Sequence, residues 1–251
     1  MAAITETEHP ELAPDVERPP ASGDRFVATA LIVLAVILLG FQVLADEFVP
    51  PMLAFGLVFG AIGIALALRR RRWLLITAIV LVVLNVGGGM PFFLANIAHP
   101  ESPLSFLLEA FRLLAALTAG IGAIAGLRGA RPGARRPIAL AAAGLAVAAV
   151  VSSLVVVAGV DSDLRQADDV AVEVGKVAFP ERVEAPAGAA VLWVDNQDPI
   201  RHTLVIEGAG VHAELPASAA VRVTADLAAG TYRFFCDVPG HEHMEGELVV
   251  R

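Results

Sequence analysis

Long runs with no polar side dominate residues 26–160, and short alternating runs follow them. The long runs are Phe26–Ala45, Met52–Leu68, Trp73–Leu94, Leu104–Leu127 and Ile138–Val160. Each comes near the roughly 20 residues that a helix needs to cross a hydrocarbon core. Each is apolar all round rather than along one stripe, which suits lipid and not a soluble bundle. The pattern predicts a transmembrane domain of five helical spans over residues 26–160. Small residues recur at helical spacing, as at Gly56, Gly60 and Gly63 or Gly122 and Gly126. Such spacing lets helices approach closely, although Gly and Ala are frequent throughout.

After Val160 the texture changes. Asp161–Asp169 is a polar linker, and turn residues then separate runs with strand alternation. Strands are predicted at Val170–Val174, Arg182–Ala185, Ala190–Val194, His202–Ile206, Ala220–Thr224, Thr231–Phe235 and Glu247–Val250. Seven short strands without helical period predict a small antiparallel sandwich or barrel over 170–251. Residues 1–25 are acidic and Pro-containing, unlike a signal peptide, and read as a disordered tail.

Composition sharpens this division. Of 251 residues, 57% are apolar and 18% charged, against about 45–50% and 25% in ordinary soluble domains. The net charge of −8 argues against nucleic-acid binding, which needs clustered cations. By segment the charge is −4 over 1–25, +5 over 26–160 and −9 over 161–251. Arg69–Arg72 fall between the second and third runs, and Arg128, Arg131, Arg135 and Arg136 between the fourth and fifth. The connections Asp46–Pro51 and Ala95–Pro103 carry no Lys or Arg. Basic loops stay in the cytoplasm, so the N-terminal tail is expected inside and the segment after Val160 outside, at the cell membrane.

One cysteine, Cys236, excludes an intrachain disulfide and any site needing two thiolates. It opens the stretch Cys236-Asp-Val-Pro-Gly-His241-Glu-His-Met244, and His202 lies upstream at the start of a strand. A thiolate and two imidazoles in a plane with a weak axial thioether suit both Cu(I) and Cu(II). Zinc accepts Cys and His but not the thioether, and has no redox chemistry. The candidate metal ligands are therefore His202, Cys236, His241 and Met244, around one copper ion. The plainer alternative makes Cys236 a small buried hydrophobe. His212 reads as a loop residue, His9 as part of the tail and His99 as part of an outer loop. Glu109 and Arg112 share a helical face and read as a pair, or as snorkelling, near the outer surface. Asn85 and Gly87–Pro91 are expected to loosen the end of the third span. No span contains histidine, which excludes a haem bundle. Only Met52 and Met90 offer soft donors within the spans.

At these residues the chain resembles the cupredoxin family, the plastocyanin- and azurin-like blue-copper domains. The resemblance rests on Tyr232-x-Phe-x-Cys-x-x-Pro-Gly-His241, Met244-x-Gly, the turn Asn196–His202, Val177-Ala-Phe-Pro180 and Val183-x-Ala-Pro-x-Gly188. It implies a Greek-key sandwich holding copper, with His202, Cys236 and His241 equatorial and Met244 axial. Only Glu242 and His243 separate His241 from Met244, fewer residues than in many such loops, which makes His243 an axial competitor. The resemblance points to a membrane-anchored one-electron carrier on the extracytoplasmic face, not an enzyme. A copper store and a metal-free interaction module are the competing readings. The expected partners are the lipid bilayer and a basic redox protein or membrane respiratory complex. His241 would be the electron port beside Val238, Pro239 and Gly240, with Asp237, Glu242 and Glu245 as an acidic rim. Asp161–Asp169 would be an extended tether that holds the acidic domain off the bilayer.

Overall fold

The computed structural model describes residues 22–45, 48–69, 71–130 and 132–251. The expected disordered tail lies outside them up to residue 21, as do His9, Arg70 and Arg131. Its last residues are helical, because α1 (Ser22–Leu44) starts there, with Asp24 in a first turn that favours negative charge. The other helices are α2 (Pro50–Leu68), α3 (Arg72–Gly88), α4 (Met90–Asn96), α5 (Pro103–Leu127) and α6 (Arg136–Val157). Proline stands in the first turn of α2, α4, α5 and α6, where its missing N–H costs nothing.

Among the described residues, four helices are long and apolar enough to cross a membrane: α1, α2, α5 and α6. The third expected span is not one helix. It breaks after Gly88, and α3 and α4 meet at 52°. Backbone carbonyls freed at such a break need partners wherever water is scarce. Arg112 supplies them: Nη1 donates to Asn85 O at 3.1 Å and Nη2 to Gly89 O at 3.1 Å. A Cβ at Gly89 would collide with that guanidinium. Glu109 balances the charge through bonds to Arg112 Nε and Nη2. Both side chains are buried, so they pair as expected but inside the bundle, without snorkelling. Breaking a buried pair of this kind costs about 3–5 kcal/mol, because the survivor is left charged and alone.

Helix α1 packs against α2 and α5, and Leu31, Leu34, Phe59, Ala116 and Ala119 make their common core. A Cβ at Gly63 would lie 2.8 Å from Ile32 Cγ1 and 3.1 Å from Ala28 O, so here the small residue does permit close approach. Helix α6 buries only Ser153, whose Oγ donates to Pro100 O at 2.8 Å.

Eight strands follow: β1 (Val170–Val174), β2 (Arg182–Ala185), β3 (Gly188–Asn196), β4 (His202–Ile206), β5 (Val211–Leu215), β6 (Ala219–Leu227), β7 (Gly230–Phe235) and β8 (Glu245–Val250). They form two sheets, ordered β1-β3-β6 and β2-β8-β7-β4-β5. Alternate residues face inward: Val172, Leu192 and Val223 from one sheet, Leu204, Phe234 and Leu248 from the other. The expected all-antiparallel pairing fails at two places, since β1 runs parallel to β3 and β2 parallel to β8. The chain crosses between sheets after β1 and again after β2, so the alternating strands share a direction. Strand β5 escaped the sequence pattern because it is an edge strand that buries only Leu215. His212 therefore lies on a strand rather than in a loop.

The linker is not a free tether. Asp163 N donates to Ala220 O at 2.9 Å, and Ser162 Oγ accepts from Ala220 N at 2.8 Å. Trp193 Nε1 donates to Asp163 O at 2.7 Å. Arg222 grips Asp169 through two bonds of 2.8 Å and holds its carboxyl below the usual carboxylate range. Specific bonds thus override the repulsion expected from the acidic composition.

The sandwich is not held off the helices either. Phe41, Ala45 and Leu108 join one apolar cluster with Ile200, Val238 and Met244. Arg201 Nη1 donates to Ala95 O at 2.6 Å, and Ala217 N to Ser102 Oγ at 3.1 Å. Met52 and Leu104, at the starts of α2 and α5, pack against this shared cluster. Arg69, Arg71 and Arg72 join α2 to α3 at the opposite end, and Arg128, Arg135 and Arg136 flank the connection from α5 to α6 there.

Candidate metal centre

Strands β4 and β7 are neighbours, with Val205 opposite Phe235, which brings His202 at the start of β4 beside Cys236 just after β7. The turn from Cys236 to Met244 is closed by Cys236 N donating to Met244 O at 3.0 Å. Inside it, His241 N donates to Val238 O at 3.0 Å and Met244 N to His241 O at 2.9 Å. Gly240 takes φ +92°, a conformation that side chains oppose, and so aims His241 inward.

The result is a buried cluster in which one atom each of His202, Cys236 and His241 lies within 4.8 Å of the others. The two Nδ1 atoms are 3.1 Å apart, and Cys236 Sγ is 3.7 Å from His241 Nδ1. Met244 is 1% exposed in the same turn. His243 instead is exposed, and its Nε2 lies 3.1 Å from Val177 O. His99 pairs with Glu101, and exposed His212 stands 3.4 Å from Asp237, both away from the cluster.

Several supporting groups were not singled out from sequence. Asp198 Oδ2 lies 3.0 Å from His202 Nε2, which fixes the ring with Nδ1 toward the cluster. Asp198 is held in turn by Lys176 N at 2.7 Å and Val177 N at 2.9 Å. Those two residues have φ of +57° and +53°, rare for a β-branched side chain. The left-handed backbone aims both N–H groups at one carboxylate, and Val177 O also meets His243. Thr203 donates to Cys236 Sγ from N at 3.4 Å and from Oγ1 at 3.5 Å. Its Oγ1 lies 2.7 Å from Asp237 Oδ1 as well. The one sequence signal for Asp198 was a carboxylate four residues ahead of a candidate ligand.

Electrostatics suit a metal. Burial pushes the Cys236 thiol up, but hydrogen bonds from His202, His241 and Thr203 outweigh it and bring it to about 5. A thiolate is thus available at neutral pH. Burial also opposes charge on Asp198 and His202. Their mutual hydrogen bond wins, holding Asp198 below the usual carboxylate range and His202 above the usual imidazole value. Soft sulfur with two imidazoles fits a single copper ion.

The expected electron port is covered. Val238, Pro239, Gly240 and His241 line a cavity shared with the helices. A Cβ on Gly240 would lie 3.1 Å from the Phe92 ring. The expected acidic rim is also engaged: Glu245 pairs with Arg233, Glu242 accepts from Gly240 N, and Asp237 meets Thr203.

Residues 143–250 match the family model of the cupredoxin-like domain, a stretch that begins within α6. Among solved structures, auracyanin B is 23% identical, with 36% of this chain and 92% of that chain covered and a TM-score of 0.31. Amicyanin from Paracoccus versutus is 20% identical, with 35% and 85% covered and a TM-score of 0.29. No curated protein matches the chain. The C-terminal part of this chain is a cupredoxin-like domain.

If Asp198 orients His202, Asp198→Asn lowers copper affinity by about 10–100-fold, the usual effect of losing such a support. Titration of the metal-free protein with copper in competition with a chelator measures it. An unchanged affinity would remove Asp198 from the centre.

Proposed function

We propose that the protein is a membrane-anchored mononuclear copper protein that carries one electron at a time on the extracytoplasmic face. The observation that carries this reading is the buried convergence of Cys236 Sγ with the Nδ1 atoms of His202 and His241. Those three residues would hold the copper ion as its strong donors, and Met244 would be the weak fourth donor. His243 is set aside because its Nε2 is occupied by Val177 O. Copper, when bound, supplies the one-electron couple. The chain supplies rigidity: β4, β7 and the closed turn fix the donors in advance, and Thr203 donates to the sulfur in either state. A donor set that need not move keeps reorganisation small. No bond is made or broken in a substrate, so the reading is of a carrier and not an enzyme.

The proposed organisation follows the sequence. Residues 1–25 form a cytoplasmic tail, and 26–160 form five spans in which α3 and α4 count as one bent crossing. Residues 161–169 connect, and 170–251 form a Greek-key sandwich. The basic connections at the far end of the helices support a cytoplasmic position for that end, with the sandwich outside. Covering of His241 by helices favours a partner that reaches it from the membrane over a soluble basic protein.

Copper-loaded protein should show an intense thiolate-to-copper band in the visible, and Cys236→Ser should abolish it. Met244→Leu should keep copper and raise the potential. Colour surviving in Cys236→Ser would refute the site, and an unchanged potential in Met244→Leu would transfer the axial role to His243. For orientation, a periplasm-dependent reporter fused after Arg251 should be active and one inserted in Gly129–Ala134 silent. The reverse pattern would put the sandwich inside.

A further inference from the structure

The junction of helices and sandwich forms a partly open cavity of about 690 Å³, within the ~300–1,000 Å³ of sites that take small organic ligands. Its walls are largely apolar and include four phenylalanines, Phe41, Phe48, Phe55 and Phe92, on the helical side. His241 stands on the sandwich side. Polar groups are few and incompletely used. Glu109 gives Oε2 to Arg112, and its Oε1 takes no hydrogen bond from the described residues. Asn96, 8% exposed, donates Nδ2 to Phe92 O and leaves Oδ1 without a partner among the described residues. Arg201, 5% exposed, leaves Nε likewise. All three residues line the cavity. Glu109 Oε1 is therefore an acceptor without a hydrogen bond from the described residues in an apolar wall near His241, whereas Asn96 Oδ1 and Arg201 Nε lie beneath the surface.

We propose that this cavity binds a lipid-soluble hydroquinone. Its flat ring matches the phenylalanine walls. One of its hydroxyl groups donates to the free carboxylate oxygen of Glu109. Its apolar tail is at home among the spans. A phospholipid chain would satisfy the walls but leave that carboxylate oxygen without a donor, which costs free energy in a buried site. A hydrophilic substrate meets the opposite mismatch, since its many polar groups would face aromatic carbon. The proposal is of binding alone and does not rest on the copper reading above.

Two adjacent glycines permit a controlled test. A Cβ at Gly88 or at Gly87 would meet nothing within 4 Å, but only Gly88 lines the cavity. Equilibrium dialysis of a decyl-substituted benzoquinol against the copper-free full chain in detergent should give saturable binding. Gly87→Leu should keep it, and Gly88→Leu should weaken it about ten-fold or more, the loss expected when part of a ligand no longer fits. Independently of any variant, a photoactivatable azido-benzoquinol should label wild-type peptides containing Phe55 or Phe92. Non-saturable uptake, equal affinity in both variants, labelling elsewhere, or displacement by phospholipid as readily as by quinol would overturn the proposal. Because copper is absent throughout, such a failure would leave the metal centre untouched.

Discussion

Arg201 joins the two halves of the molecule and stands next to a candidate metal ligand. Its buried guanidinium donates to Ala95 O in the helical half and pairs with Glu214 on β5, while His202 follows it into β4. Taking a guanidinium out of water is expensive unless its N–H groups are used, so this placement demands a fixed neighbour. The helices provide one, and Ser102 adds a second bond through Ala217. With Phe41, Ala45 and Leu108 inside the apolar cluster of the sandwich, the sandwich has one orientation relative to the helices. Everything that approaches His241 must do so past those helices.

The helical half obeys the same rule of satisfied polar groups. A membrane segment that breaks exposes carbonyls, and water is not there to meet them. Arg112 meets them at Asn85 and Gly89, and Glu109 neutralises Arg112. One ion pair thus permits the bend between α3 and α4, and the bend opens space beside Phe92. The cavity is a consequence of that bend and of the docking of the sandwich above it.

Some of this was legible in the sequence and some was not. Four long apolar helices were legible because length and all-round apolarity are local properties. The candidate donors were legible because Cys236, His241 and Met244 lie in one short stretch, and their chemistry narrows the choice of metal. The Gly87–Pro91 stretch announced a weak point, but not that Arg112, far along the chain, would fill it. Net charge predicted a repelled tether, because a sum over acids does not see that Asp163 and Asp169 each have an assigned partner on β6 or β3. Asp198 stayed hidden for a similar reason. Its role depends on two left-handed residues, Lys176 and Val177, and nothing in their side chains signals that backbone. Strand β5 was missed because an edge strand with one buried residue has no alternation to read.

The claim on which the account turns is that the helices cover the metal centre. Electron exchange with a small soluble cytochrome, measured by stopped flow on the copper-loaded full chain and on copper-loaded residues 167–251 alone, tests it most directly. Both proteins should first show the same visible band. Exchange should be much slower in the full chain, where the helices line the cavity at His241. Equal rates in the two would contradict that claim.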